Sequence, residues 1–447
     1  MPHIDMTYHL TGFVILAIFV LAYLVVMCEE LLHLRKSKPV IVAAGIIWGL
    51  IAIEYARQGD YITAGNALKH NLGEYVELFL FLLAAMTYVN TIEERGLFDS
   101  LRAWLLSKRF SLKLLFWITG FLAFCLSPLI DNLTTALVVG AIVVSVGKGN
   151  PFFITVGCIN IVVAANAGGV FSPFGDITTL MVWQKGLVQF NEFFKLFLPS
   201  LVNWLVPAFI MSFGLKNAKS EEVKENAILK PGVFIIVILF LLTIAMAILS
   251  HSVLHLPPAI GMMTGLGLLK LYGYFLRKKD KRQIEISNKI LSEFEQTQIQ
   301  LTEPFDVFKS LQKVEWDTLM FFYGIILCVG GLGTVGYLNL TSKSFYLDLG
   351  PTVANVLIGL VSAVVDNIPL MFAVLSMQPE MPHNQWLLVT LTLGVGGSIL
   401  SIGSAAGVAL MGQARGSYTF LSHLKWAWAI TLGYAASIIT HIFINGL

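Results

Sequence analysis

The sequence predicts an all-α polytopic membrane protein made of two inverted repeats, each with a re-entrant hairpin and a broken transmembrane helix. Three observations carry this expectation. Of the 447 residues, 56% are hydrophobic and 13% charged, with a mean hydropathy of +0.77, whereas soluble domains are about half apolar and a quarter charged. Apolar stretches of about 20 residues, long enough to cross a bilayer as helices, recur along the chain. The dipeptide Asp-Asn occurs twice inside such apolar sequence, at Asp131-Asn132 and again 235 positions on at Asp366-Asn367. A carboxylate at membrane depth costs roughly 2.5 to 3.5 kcal/mol, which makes it a functional candidate by default.

Uninterrupted spans read at 11–28, 39–57, 75–92, 193–215, 231–250, 258–276, 316–336 and 425–445. The first lacks a basic flank and a small-residue cleavage site, so it is expected to be retained as a span. Residues 98–110, with Leu101, Trp104 and Leu105 beside Arg102, Lys108 and Arg109, fit an amphipathic helix on the membrane surface. Four further apolar stretches carry Pro, Gly, Asn or Asp near their middles: hairpins at 112–147 and 352–378, and broken helices at 152–186 and 385–413. A break frees backbone polar groups that hydrocarbon tolerates only when protein buries them or a wet cavity lines them. The binding site is therefore expected at the breaks. The polar segments 216–230 and 277–315 read as a cytoplasmic linker and a solvated cytoplasmic insert.

The two halves, 1–215 and 231–447, can be superposed in sequence. Gly45 and Gly49 match Gly261 and Gly265, the Asp-Asn pairs match, and Gly168, Gly169 and Gly175 match Gly396, Gly397 and Gly403. With re-entrant hairpins each half crosses five times, an odd number, so the second half is expected to be inverted. Charge agrees: with both termini outside, 23 of the 29 Lys and Arg fall in inner loops, as the positive-inside rule requires.

The polar inventory of the breaks is Asp131, Asn132, Thr134, Thr135, Asn166, Ser172, Asp176, Thr178 and Thr179 in the first half, with Asp366, Asn367, Ser398, Ser401 and Ser404 in the second. Nearly all are oxygen donors, the ligand type that hard cations take. No Lys or Arg lies in either hairpin tip or at either break, 166–176 and 394–404. The acids are therefore expected to lack basic neighbours, and an organic substrate is disfavoured. Cys28, Cys125, Cys158 and Cys328 have no CxxC or Cys/His spacing and read as packing residues. No cofactor and no nucleic-acid partner is expected; membrane lipid is the expected surrounding.

The motifs SPLIDNLTTALVV, NAGGVFSPFGDITT, VVDNIPLMFAV and GVGGSILSIGSAAGVA, in this order and spacing, resemble those of NhaD-type sodium/proton antiporters, in the ion-transporter superfamily that also holds dicarboxylate and arsenite carriers. The resemblance covers roughly residues 40 to 445. It implies exchange of cytoplasmic Na⁺, and often Li⁺, for external protons across the inner membrane, commonly by a homodimer. Dicarboxylate relatives carry Ser-Asn-Thr at the hairpin tips; here Asp-Asn-Leu-Thr and Asp-Asn-Ile-Pro stand there, so a titratable acid replaces a hydroxyl.

A carboxylate that holds either a proton or a sodium ion, but not both, couples the two fluxes. Asp131 and Asp366 are the expected primary sites and Asp176 the next, with Na⁺ held at Asp131, Asn132, Asn166, Asp366, Asn367 and Ser401. Each acid also precedes a helix start and so could serve as an N-cap. The main alternative is a sodium-coupled symporter of an anion. An intramembrane aspartyl protease would also need two acids, but on neighbouring full spans rather than on matched hairpins, so no enzymatic activity is expected.

Overall fold

A computed structural model describes residues 5–108, 110–218, 229–293 and 305–446. Within them the secondary structure is helical. Helices of eight residues or more are α1 Leu10–Met27, α2 Ser37–Arg57, α3 Thr63–Glu94, α4 Leu97–Ser107, α5 Leu112–Leu126, α6 Asn132–Val146, α7 Pro151–Gly169, α8 Ile177–Gln184, α9 Phe197–Ser212, α10 Val233–Ser252, α11 Pro258–Glu293, α12 Trp316–Val335, α13 Pro351–Val361, α14 Asn367–Met377, α15 His383–Gly396, α16 Ala405–Gln413 and α17 Ala427–Asn445.

Nine of the described helical segments are long and apolar enough to cross a membrane. Eight coincide with the uninterrupted spans expected from sequence, and the ninth, α7, is the first half of the first broken helix. Their exposed faces carry large apolar side chains such as Phe209, Phe234, Ile238, Leu242 and Phe443, the surface a bilayer requires. The chain is thus a multi-pass membrane protein. Two expectations differ in extent. Helix α3 starts at Thr63 rather than 75, and α11 continues through charged sequence to Glu293, so the first part of the insert is a helix and not a linker. A charged, Gly-free run forms a solvated helix as readily as a coil, and composition does not separate the two. Of the linker 216–230, residues 219–228 lie outside the described residues, as do 294–304 of the insert and Arg109 of the surface segment, whose helix is α4.

The chain divides into two compact units. One comprises Val76–Leu101 and Asn226–Trp316, and the other the remaining segments Met1–Tyr75, Arg102–Glu225 and Asp317–Leu447. Within the smaller unit α10 packs along α11, and Tyr88 donates a 2.7 Å hydrogen bond to the Gly265 carbonyl while accepting one from Thr243 at 2.9 Å. Its buried Arg95 pairs with Asp280 at 3.0 Å and stacks on Phe305, 4.5 Å from the ring centre. Removing one partner of a buried pair strands the other. Arg95→Met is expected to cost about 2 kcal/mol or more of stability, read as a lower melting temperature in detergent; an unchanged melt contradicts this.

All four interrupted elements lie in the larger unit. Helices α5 and α6 pack on each other and flank residues 127–131, the tip of the first expected hairpin; α13 and α14 flank residues 362–366, the tip of the second. The first arms, α5 and α13, pack along α7 and α15, the leading halves of the broken helices that follow them. The returning arms cross over. Helix α6 packs on α16, and α14 packs on α8, so each hairpin meets the trailing half of the other broken helix. Matched glycines permit this closeness. A Cβ on Gly168 would stand 2.3 Å from the Phe124 carbonyl oxygen, and one on Gly396 would stand 2.0 Å from that of Gly359. Matched serines then tie each tip down: Ser127 donates to the Ala165 carbonyl at 2.6 Å, and Ser362 to that of Leu393 at 3.1 Å.

Candidate functional site

Each interrupted element restarts as a helix whose first N–H groups have no partner in the helix itself. The residue just before each restart supplies one. Asp131 caps α6 by accepting from the Thr134 N–H at 2.8 Å, Asp176 caps α8 through the Thr178 N–H at 2.9 Å, Asp366 caps α14 through the Ile368 N–H at 3.3 Å, and Ser404 caps α16 through the Gly407 N–H at 3.2 Å. Capping is therefore one role of all three acids. Asp131 performs it with φ of 52°, a left-handed conformation costly for a side chain other than Gly. The three acids differ in what else they meet.

Asp176 stands where the two hairpins converge. Its Oδ2 accepts from Asn132 Nδ2 at 3.1 Å and from Asn367 Nδ2 at 3.2 Å, so the first residue of each returning arm holds the same oxygen. Its Oδ1 accepts from the Thr178 N–H and hydroxyl, each at 2.9 Å. Asn132 also donates to Asn166 Oδ1 at 3.0 Å. Asp176, Asn166, Asn367 and Thr178 are buried, and among the described residues no ion pair involves Asp176. The junction follows from the crossover packing: α14 lies on α8, which brings Asn367 to the cap of α8. Buried polar atoms in these elements that lack hydrogen-bond partners include Asn166 Nδ2, Thr135 Oγ1 and Gln184 Nε2. A buried polar group without a partner is costly, and Asn166, whose Oδ1 already accepts from Asn132, carries one of them.

The remaining candidates are engaged elsewhere. Asp131 Oδ2 accepts from the Thr134 hydroxyl at 2.9 Å. Ser172 donates to the Pro128 carbonyl at 2.8 Å and Thr179 to that of Ser172, also at 2.8 Å, which ties the first break to the first tip. Ser398 donates to Val395, and its carbonyl faces buried His423; Ser401 points to the Met411 sulfur at 3.3 Å. Asp366 lies within electrostatic range of Asp176 but is only part-buried. Its Oδ2 is 3.6 Å from the Lys36 ammonium, and its backbone N–H donates to the Tyr23 hydroxyl at 3.2 Å. The expectation that the acids lack basic neighbours thus fails at Asp366. The lysine comes from a loop more than 300 positions away, and a census of charges within the broken segments does not see it.

Sequence reasoning also passed over Ser127 and Ser362. Their shared offset of 235, the same as that of the Asp-Asn pairs, was the available signal. The halves differ at one decisive place. With Gly175 matched to Gly403, Asp176 falls opposite Ser404, so the first break carries a charge and the second a hydroxyl. Among the described residues no group of three His, Cys, Asp or Glu is assembled. One carboxylate ringed by amides and hydroxyls suits a small monovalent cation or a proton better than a multiply charged metal.

Comparisons with known proteins place the chain. The citrate transporter family model matches residues 9–394. The chain is 58% identical over 447 residues to the Na⁺/H⁺ antiporter NhaD of Alkalimonas amylolytica, covering 99% of this chain and 92% of that protein. It is 57% identical over 446 residues to the Na⁺/H⁺ antiporter NhaD of Vibrio cholerae, covering 99% and 94%. Sodium/proton antiporter 2 of Arabidopsis thaliana is 28% identical over 445 residues, covering 96% and 98%.

Proposed function

Since the chain belongs to the citrate transporter family and, within it, to the NhaD-type Na⁺/H⁺ antiporters, we propose that it exchanges cytoplasmic Na⁺, and Li⁺, for external protons at Asp176. The observation that carries this reading is the single buried carboxylate shared by Asn132 and Asn367. With neither ion present, the two amide N–H groups stabilise the charged oxygen. A carboxamide turned by 180° presents its oxygen instead, so the same two asparagines, with Asn166, can coordinate sodium against Asp176 Oδ2. A proton on Oδ2 removes the charge that holds sodium, and sodium excludes the proton. Asp366 and Asp131, at the two tips, serve as access carboxylates on the approaches to Asp176, and Thr134, Thr135, Ser401 and Ser404 supply neutral oxygen along them.

Matched glycines, matched serine ties and the charge asymmetry of the loops support two repeats of opposite orientation, with both termini outside and one hairpin entering from each face. An inner-membrane homodimer is the assembly proposed. Proteoliposomes loaded with a pH-sensitive dye test the function: NaCl and LiCl, and not KCl or citrate, should drive proton movement. Asn132→Ala and Asn367→Ala should each raise the sodium concentration for half-maximal exchange by roughly fivefold, from about 1 kcal/mol per lost donor. A response to citrate, or unshifted sodium dependence in both variants, contradicts the reading.

A further inference from the structure

We propose that Lys36 is a tethered counter-cation for Asp366, which sodium must displace to use this approach to Asp176. The inference rests on the reading of Asp366 as an access carboxylate. Lys36 sits at the start of α2, and its Nζ lies 3.6 Å from Asp366 Oδ2 and 4.6 Å from the centre of the Phe321 ring on α12. The ammonium is thus held between a carboxylate and an aromatic face, two groups that each attract a cation. Both side chains are largely withdrawn from solvent, at 18% and 22% exposure.

The seat is fixed from several directions. The Lys36 N–H donates to Glu29 Oε1 at 3.3 Å, and the hydroxyl of buried Ser37 donates to Asp317 Oδ1 on α12, which pins the first turn of α2. Tyr23 on α1 accepts the Asp366 N–H at 3.2 Å and holds the tip of the second hairpin against the same corner. The lysine is therefore not a freely sampling surface chain. It neutralises a carboxylate that lies within electrostatic range of Asp176 and weakens the field that draws in a monovalent cation. In the proposed topology the loop bearing Lys36 is cytoplasmic, so sodium entering from that side meets the ammonium first. Lys36 is in this sense a positioning residue: it sets how much sodium is needed, and Asp176 carries the exchange.

Sodium binding to the full-length protein in detergent tests this, read as the rise of melting temperature with NaCl against choline chloride of equal ionic strength. A ligand that binds only the folded state stabilises it in proportion to ln(1 + [L]/Kd). Lys36→Met should lower the half-saturating sodium concentration by about three- to fivefold, and Lys36→Arg should restore the wild-type value; Lys36→Gln replaces Lys36→Met if the latter does not fold. In an Asp366→Asn background Lys36→Met should have no further effect. An unchanged or raised half-saturation in Lys36→Met, or an equal shift without Asp366, overturns the proposal. If Asp366→Asn alone leaves sodium binding at its wild-type value, Asp366 is no access carboxylate, and the proposal falls for that separate reason.

Discussion

Asp176→Asn is expected to abolish sodium-driven proton exchange while the protein stays folded. Asparagine is as good an N-cap as aspartate, so the bond from the Thr178 N–H at the start of α8 survives, and the side chain keeps its size. What disappears is the charge between Asn132 and Asn367. An amide there can neither lose a proton nor balance a sodium ion, so exchange should fall by about 100-fold or more, to background. The cost of losing a transition-limiting charge is far larger than the loss of one neutral donor, at about 1 kcal/mol, which separates this variant from those of the asparagines. Exchange in proteoliposomes and melting temperature in detergent are measured together. A folded Asp176→Asn protein exchanging within about threefold of wild type would leave Asp176 as a helix cap only.

Gly396→Ala and Gly168→Ala are expected to be strongly destabilising single-methyl changes in the larger unit. The added carbons would stand 2.0 Å from the Gly359 carbonyl oxygen and 2.3 Å from that of Phe124. Both obstacles are backbone, so no rotamer relieves the clash. Each hairpin would have to move off its broken helix, breaking the tie from Ser362 to Leu393 or from Ser127 to Ala165. Overpacking of this kind costs about 1 to 3 kcal/mol, and more where neighbours cannot yield; about 3 kcal/mol or more is expected here. Gly412 is the control, since nothing lies within 4 Å of a Cβ placed there and alanine favours a helix. Gly396→Ala melting together with Gly412→Ala overturns the account of the hairpin contact.

The spans were legible because burial in lipid demands long apolar runs, and the hairpins and breaks because Pro, Gly and Asp are costly within those runs. The matched glycines of the breaks were legible for the same reason, and the contacts they make in each half are alike, whereas Gly45 and Gly49 face open space and their matches Gly261 and Gly265 lie against α10. That Asp176 is the carboxylate both returning arms hold was not legible. Asp131 and Asp366 were singled out because they repeat, yet the oxygen that joins the two hairpins belongs to Asp176, which repeats only as Ser404. Repetition marks what the two halves share structurally, here an N-cap at every restart. The one carboxylate that both returning arms hold lies where the halves differ. The partners of Asp176 lie 44 and 191 positions away, a relation that follows from the crossover of α14 onto α8 and leaves no local trace. Lys36 escaped notice likewise, because its reach to Asp366 spans elements that no charge count within the breaks connects.

The most direct test of the central claim, that proton and sodium compete for one carboxylate, is the count of protons released when sodium binds. Purified protein in weakly buffered detergent solution is titrated with NaCl while a pH indicator is followed, for the wild type and for Asp176→Asn. The account predicts that the wild type releases protons with a saturable dependence on sodium, and that Asp176→Asn releases none. Proton release of wild-type size and sodium dependence from the folded Asp176→Asn protein would contradict it.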